Sequence, residues 1–385
     1  MENIFLPFSK PSLSQATLDE VNACLQSGWL TTGPRVKKFE EKLAAYFKVP
    51  EVFSLTSATA GLHLALKALN LQPDDEVITT SMTFVATLNA IVLAGAKPVL
   101  IDIDETLNMD VAQLEKAITA HTRAILPVHF TGLPVDLDPV YTLARKYKLR
   151  VIEDAAQAIG TYYKNKMIGS FGDTQIFSFH PNKNMTSGEG GCVITRDKIM
   201  SKKIRVLRFH GIDRDAFNRF SKEGSQLYDV IEPGFKYNML DLQAAIGLHQ
   251  LDQLEEFIEK RTHLAKRYCN FLEKLNGITL PRLPSYPHRH SWHLFTILIS
   301  SEKPLLSRDN FMQHMKNLNI GIGLHYQAPH LFTYYRKQFG FKEGNFPNTE
   351  KVASQIVSLP LFPDMTTQDQ DRVITAIKQF FGKTA

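Results

Sequence analysis

The sequence predicts an α/β protein: a large domain over residues 1–247, built on a mostly parallel sheet flanked by helices, and a smaller C-terminal α+β domain over 248–385. Three observations carry this. From about residue 50, short β-branched runs alternate with amphipathic helical segments, the pattern of a parallel sheet covered on both faces. Near residue 245 that alternation stops and one long helical pattern follows. The length of 385 residues suits two domains at roughly 150 residues each.

Element by element, the first region reads as helical, because Val36, Phe39, Leu43 and Phe47 recur at helical spacing. Before it, Thr17 and Glu20 have the spacing of a capping box, and Gly28 stands where a helix can end. Strands are expected at 51–55, 76–79, 98–103, 124–128, 150–153, 175–179 and 192–195. Helices are expected between them at 59–69, 83–94, 110–118 and 137–147. The long helix is expected over 248–275, with Leu251, Leu254, Phe257 and Ile258 on one face. Strands at 292–299 and 320–325 and helices at 307–318 and 368–381 complete the second domain, and the proline-rich stretch 280–287 reads as a surface loop within it.

Composition excludes several classes of function. Hydrophobic residues make up 44% and charged residues 22%, as in ordinary globular domains. Cys24, Cys192 and Cys269 form no CxxC pair, so neither a metal site nor a disulfide framework is expected, and the usage fits a reducing cytoplasm. The first residues lack the basic and apolar regions of a signal peptide. The apolar run 90–96 is too short to span a bilayer, so no membrane insertion is expected. Net charge is +5, from 44 basic and 39 acidic residues without a basic tract. Nucleic acid is therefore not an expected partner, whereas an anionic small molecule suits the balance.

In open α/β sheets ligands sit at the carboxyl ends of strands, and three such ends carry unusual residues. Thr56-Ser57-Ala58-Thr59-Ala60-Gly61 puts hydroxyls and small residues at a helix start, where free N–H groups cradle phosphate; an ordinary N-cap explains the same residues. In Val151-Ile152-Glu153-Asp154-Ala155-Ala156-Gln157 an apolar strand runs into two carboxylates, of which one faces each side. A buried carboxylate needs a partner, unless it caps the next helix. The third is Ser178-Phe179-His180-Pro181-Asn182-Lys183, followed by the turn Gly188-Glu189-Gly190-Gly191. A lysine desolvated there gains a nucleophilic amine, although by itself Lys183 is one lysine among many. The glycine run lacks the spacing of a dinucleotide fingerprint.

Taken together and in this order, these motifs resemble the sugar aminotransferases of the DegT/StrS type, a branch of the fold type I, aspartate-aminotransferase-like enzymes that use pyridoxal 5'-phosphate (PLP). The resemblance covers almost the whole chain and extends to residues 28–34, 234–239 and 359–363. It implies that Lys183 is the catalytic lysine, bound to PLP as a Schiff base and later shuttling the proton. It implies that Asp154 pairs with the ring nitrogen, that Phe84 stacks on the ring, and that Gln157 helps hold it. Ala58, Thr59 and Ser178 would hold the phosphate, with Asn238 reaching it from a second subunit. A homodimer with composite active sites follows. Thr31, His325 and Tyr326 match segments near the substrate.

The resemblance further implies an amino group taken from L-glutamate and given to a nucleotide-linked keto-sugar. Segments 127–130, 180–191, 291–295, 323–326 and 359–367 are similar to the branch that converts a UDP-4-keto-pentose to UDP-4-amino-4-deoxy-L-arabinose for lipid A modification. Four positions depart from that branch: Phe84 replaces a Trp, Gln157 a His, and Pro181-Asn182 a small-apolar pair. A UDP- or dTDP-linked 4-keto-6-deoxyhexose is the alternative substrate. A non-catalytic PLP or sugar-nucleotide binder is a more remote alternative, against which the set Asp154, Ser178 and Lys183 speaks.

Overall fold

The computed structural model describes residues 4–213, 227–299 and 306–382. Helices α1 (Gln15–Ser27) and α2 (Pro34–Phe47) lead into β1 (Phe53–Leu55), α3 (Ala58–Lys67), β2 (Glu76–Thr80), α4 (Val85–Leu93), β3 (Lys97–Ile101), α5 (Leu114–Ala117), β4 (Thr122–Leu126), α6 (Leu137–Tyr147) and β5 (Arg150–Asp154). The short strands β6 (Tyr162–Tyr163) and β7 (Lys166–Met167) precede β8 (Thr174–Ser178), β9 (Gly191–Thr195) and α7 (Lys198–Leu207). Then come α8 (Asp241–Leu272), β10 (Ile278–Thr279), β11 (His288–Arg289), β12 (Phe295–Ile299), α9 (Arg308–Asn317), α10 (Thr333–Phe339), α11 (Pro347–Gln355), β13 (Ile356–Leu359) and α12 (Thr367–Gly382).

The central sheet has seven strands in the order β1-β9-β8-β5-β4-β2-β3. Its pairs are parallel except those made by β9, which runs against both β1 and β8. The expected mostly parallel sheet is therefore present. Apolar side chains leave both faces of its central strands, so helices must cover both. Val36, Phe39, Leu43 and Phe47 of α2 pack on one side, and Leu62, Leu64 and Leu66 of α3 on the other. A second, antiparallel sheet β10-β12-β13 anchors the C-terminal core with α9 and α12. Helix α8 belongs to both cores: Leu248, Leu251, Leu254 and Ile258 enter the first, and Leu264, Tyr268 and Leu272 the second.

Several local expectations need correction. Helix α1 is capped by Ser14, whose Oγ accepts from Thr17 N–H, so Thr17 and Glu20 lie inside the helix and form no capping box. Gly28 does end that helix, at φ +68°. Residues 110–118 make a 3-10 turn and a single α-turn, because Asp110 caps after Ile103 has bridged back to Met109. Residues 320–325 form no strand. Ile320 and Gly323 make only isolated bridges, to Leu6 and Ser358, because the edge is taken by different partners on either side. The long helix begins seven residues before the expected 248, where Asp241 accepts from Arg35 and Val36 N–H and so also caps α2.

Gly247 shows how tightly α2 and α8 meet. A Cβ there would stand 2.7 Å from a ring carbon of Phe39, a fully buried ring packed edge-on against Phe179 at 5.6 Å between centroids. In an open helix Gly→Ala gains about 1 kcal/mol. Here overpacking costs about 1–3 kcal/mol and reverses the sign. Gly247→Ala is expected to lower the urea midpoint, by a net loss of about 1 kcal/mol; an unchanged or raised midpoint would show that the Phe39 ring can yield.

Candidate active site

The site forms where β5 ends. Consecutive strand residues face opposite sides, and Glu153 and Asp154 do so. Glu153 faces away from the cavity and is saturated with donors: Tyr141 Oη and Gln175 Nε2 each donate to Oε1 at 2.6 Å. His129 Nε2 lies 2.9 Å from Oε2. Because Val135 N–H donates to His129 Nδ1, the ring proton sits on Nε2 and is given to Glu153. Asp154 faces the other way. Thr87 Oγ1 donates to its Oδ2 at 2.8 Å, and Thr83 Oγ1, 2.7 Å from Thr87 Oγ1, donates in turn. Ala156 N–H donates to Oδ1 at 3.1 Å. Burial pushes the Asp154 carboxyl up, against these hydrogen bonds and the nearby Lys183 charge. The expected opposition of the two carboxylates is thus observed, and Asp154 is not a helix cap.

Asp154 and Lys183 share a cavity of about 250 Å³. Lys183 follows β8 in the turn toward β9, held by its own N–H to His180 O at 2.9 Å. Burial lowers its amine to about 8, with the Asp154 charge opposing. The amine lies 3.3 Å from Nε2 of His293. On the opposite wall is the start of α3, capped by Ser57, whose Oγ accepts from Ala60 N–H. The first N–H groups of a helix have no intrahelical acceptor, so those of Ala58 and Thr59 are left for a ligand beside Ser178. Gly191 makes this approach possible, since a Cβ there would stand 2.5 Å from Ala58 N.

The remaining predicted residues divide into two groups. Phe84, Gln157, His325 and Tyr326 line the same cavity. Gln157 Oε1 accepts from Thr131 N–H, and its Nε2 donates to Tyr326 Oη at 3.2 Å. The Phe84 and Tyr326 rings lie 5.7 Å apart at the mouth. His325 is held by Ser358 Oγ at 2.8 Å from Nδ1, and burial lowers it to about 4. Thr31 and Asn238 are not in the lining. Asn238 donates to Thr32 Oγ1 at 2.5 Å and accepts from Lys236 Nζ at 2.7 Å. Thr31 is exposed beside it, its carbonyl accepting from Asp241 N–H.

Sequence reasoning misses His293 and Thr87. Thr87 lies in the first turn of α4 and Thr83 just before the helix, and the two hydroxyls meet across the helix start at 2.7 Å. His293 lies in one of the segments that carry the family resemblance, but nothing in its neighbours marks it as polar and site-facing.

A lysine amine and a buried carboxyl sharing one cavity, beside a helix start with free N–H groups, define a PLP-dependent enzyme of fold type I. Comparison with known proteins agrees. Residues 11–378 match the DegT/DnrJ/EryC1/StrS aminotransferase family. A UDP-4-amino-4-deoxy-L-arabinose–oxoglutarate aminotransferase of Shewanella sediminis is 45% identical over 99% of this chain and 100% of its own. The spore coat polysaccharide biosynthesis protein SpsC of Bacillus subtilis is 44% identical over 98% of this chain and 97% of its own. A putative sugar aminotransferase of Streptococcus pneumoniae, solved in a pyridoxamine-phosphate (PMP) form, matches with a TM-score of 0.91 at 32% identity, over 99% of this chain and 100% of that one; its PLP form also gives 0.91. The chain belongs to the DegT/DnrJ/EryC1/StrS aminotransferase family, whose enzymes use PLP.

The residues fit that cofactor. A carboxyl raised by burial gains most from a cationic partner such as a protonated ring nitrogen. A desolvated amine is ready to bond an aldehyde. Among the described residues no helix is long and apolar enough to cross a membrane, and no His, Cys, Asp and Glu cluster could hold a metal.

In protein freed of its cofactor, the Lys183 amine is expected to titrate near pH 8, far below the ordinary 10.5. Asp154→Asn removes the charge that opposes burial, so the midpoint should fall further. Acylation of Lys183 followed by mass spectrometry across pH measures both; a wild-type midpoint near 10.5 contradicts the desolvated site.

Proposed function

We propose that this enzyme transfers the amino group of L-glutamate to the keto carbon, C4, of a nucleotide-linked keto-sugar. The observation that carries the reading is the Lys183 amine sharing one desolvated cavity with Asp154. When bound, PLP acts as an electron sink that acidifies the bond at the amine-bearing carbon. Asp154, oriented by Thr87, would keep the ring nitrogen protonated. Ala58, Thr59 and Ser178 would hold the phosphate, Phe84 would offer its ring face, and Gln157 would steady the cofactor. Lys183 Nζ would carry the proton from Cα of L-glutamate to the cofactor's aldehyde carbon in the first half-reaction, and from that carbon to the sugar carbon in the second. Burial brings the Lys183 amine down toward neutral pH, which brings its base form within reach while its acid form stays available.

The substrate we infer is UDP-4-keto-pentose, giving UDP-4-amino-4-deoxy-L-arabinose. The Shewanella sediminis relative is named for that product, and SpsC for a surface polysaccharide. A role in lipid A or other cell-surface polysaccharide modification, in the cytoplasm, fits both. His325 and Tyr326 at the mouth would meet the sugar. Asn238 and Thr31 lie outside the cavity of their own chain, which supports a homodimer in which they serve the partner's site.

Lys183→Ala is expected to abolish transamination, with a loss of at least about 10³-fold. Near-normal turnover by that variant, read as 2-oxoglutarate release, would refute the reading. A panel of keto-sugars with L-glutamate tests the substrate. The UDP-4-keto-pentose should exceed the 6-deoxyhexoses by about 10–200-fold in kcat/KM, the range one methyl commands in a pocket. Preference for a 4-keto-6-deoxyhexose would move the assignment to the alternative.

A further inference from the structure

His293 has no task in the proton transfers assigned to Lys183, yet the loop that carries it is tied at every turn. It sits between Trp292 and β12 and is 2% exposed. Ser291 N–H donates to Gly132 O at 3.1 Å and Leu294 N–H to Thr131 O at 3.2 Å. Asn184 Nδ2, one residue after Lys183, donates to Ser291 O at 2.6 Å. The buried Arg261 guanidinium reaches the carbonyls of Trp292, His293 and Leu361 at 3.3, 3.3 and 2.9 Å. The loop is thereby joined to the Lys183 turn on one side and to α8 on the other.

The ring has one polar partner. Its Nε2 is 3.3 Å from Lys183 Nζ, and its Nδ1 is buried with no hydrogen-bond partner. In return, His293 is the only side chain hydrogen-bonded to Nζ among the described residues. Burial first, then the positive charges of Lys183 and Arg261, with the His325 and His180 rings also facing it, hold the imidazole well below its ordinary value, so the ring is neutral. Asp154 is the acidic group that faces the amine. Since Nδ1 lacks a partner in either tautomer, the state of Lys183 decides which ring nitrogen carries the proton. Against an ammonium, Nε2 is bare and accepts. Against a neutral amine it carries the hydrogen and donates. A charge-assisted bond is about twice as strong as a neutral one, so the pair favours the ammonium.

The geometry points to His293 as the positioning residue that receives the protonated Lys183 amine whenever that amine is not bonded to the cofactor, holding it between removal of a proton from one carbon and its delivery to the next within each half-reaction. This rests on the reading that Lys183 moves the proton. An ammonium left in this cavity without an acceptor would be destabilised by burial. The docked amine keeps its proton and returns along the same short path.

The test compares His293→Phe, which keeps an aromatic ring and removes both nitrogens, with His293→Gln, whose amide oxygen can accept. In the cofactor-free chain, His293→Phe should lower the pH midpoint of Lys183 acylation by about one unit relative to wild type. In the PLP-loaded enzyme it should lower kcat about tenfold and leave KM for L-glutamate within about twofold, as for an interaction absent from substrate binding. His293→Gln should restore most of both. A midpoint unchanged or raised in a folded His293→Phe would overturn the proposal. Should that variant fail to fold, ¹⁵N-histidine NMR of the wild-type chain decides. The His293 Nε2 resonance should step at the pH where Lys183 titrates, and the step should vanish in Lys183→Met; a flat Nε2 resonance overturns it. An active Lys183→Ala would sink the proton-moving reading itself, whereas an inactive Lys183→Ala with an unshifted His293→Phe sinks only the docking role of His293.

Discussion

The site depends on one constraint: neighbouring residues of a strand cannot face the same side. At the end of β5 this puts two carboxylates back to back. Glu153 is locked by Tyr141, Gln175 and His129, which fixes the twist and register of the strand end. Asp154 is then aimed into the cavity without freedom to turn away. A slip of one residue would exchange the two side chains, leaving the wrong carboxylate toward Lys183 and an unmatched one among the three donors. The polar cluster on the blind side of the sheet is therefore what makes the exposed chemistry on the other side reproducible.

Much of this is readable from residues 50–195, because strand and helix periods differ sharply there and each strand end carries its own chemistry. Lys183, Asp154 and the start of α3 are recognisable by order and spacing. Boundaries fail where side-chain capping outweighs periodicity, as when Ser14 rather than Thr17 begins α1. The extended run 320–325 fails because its alternation reflects burial against Leu6 and Ser358 without a ladder on either edge. His293 escapes because its partners, Lys183 and Arg261, are 110 and 32 residues away in sequence. Contacts that long leave no local pattern to read.

The cavity walls come from different parts of the fold, and each is set by a close approach. Gly191 lets β9 touch the first residue of α3, so the helix start lies against the strand that follows the Lys183 turn. His325 and Tyr326 come from the C-terminal part; Ser358 holds His325 there, and Gln157 reaches Tyr326 from just after β5. The mouth of the site is framed by Phe84, which is 53% exposed.

Helix α8 crosses from one core to the other without a break. Each core takes part of its apolar face, and Arg261 midway along it is buried among carbonyls of the C-terminal part. Melting either core alone would leave half of α8 with its apolar residues exposed to water, which penalises partial unfolding and couples the two cores.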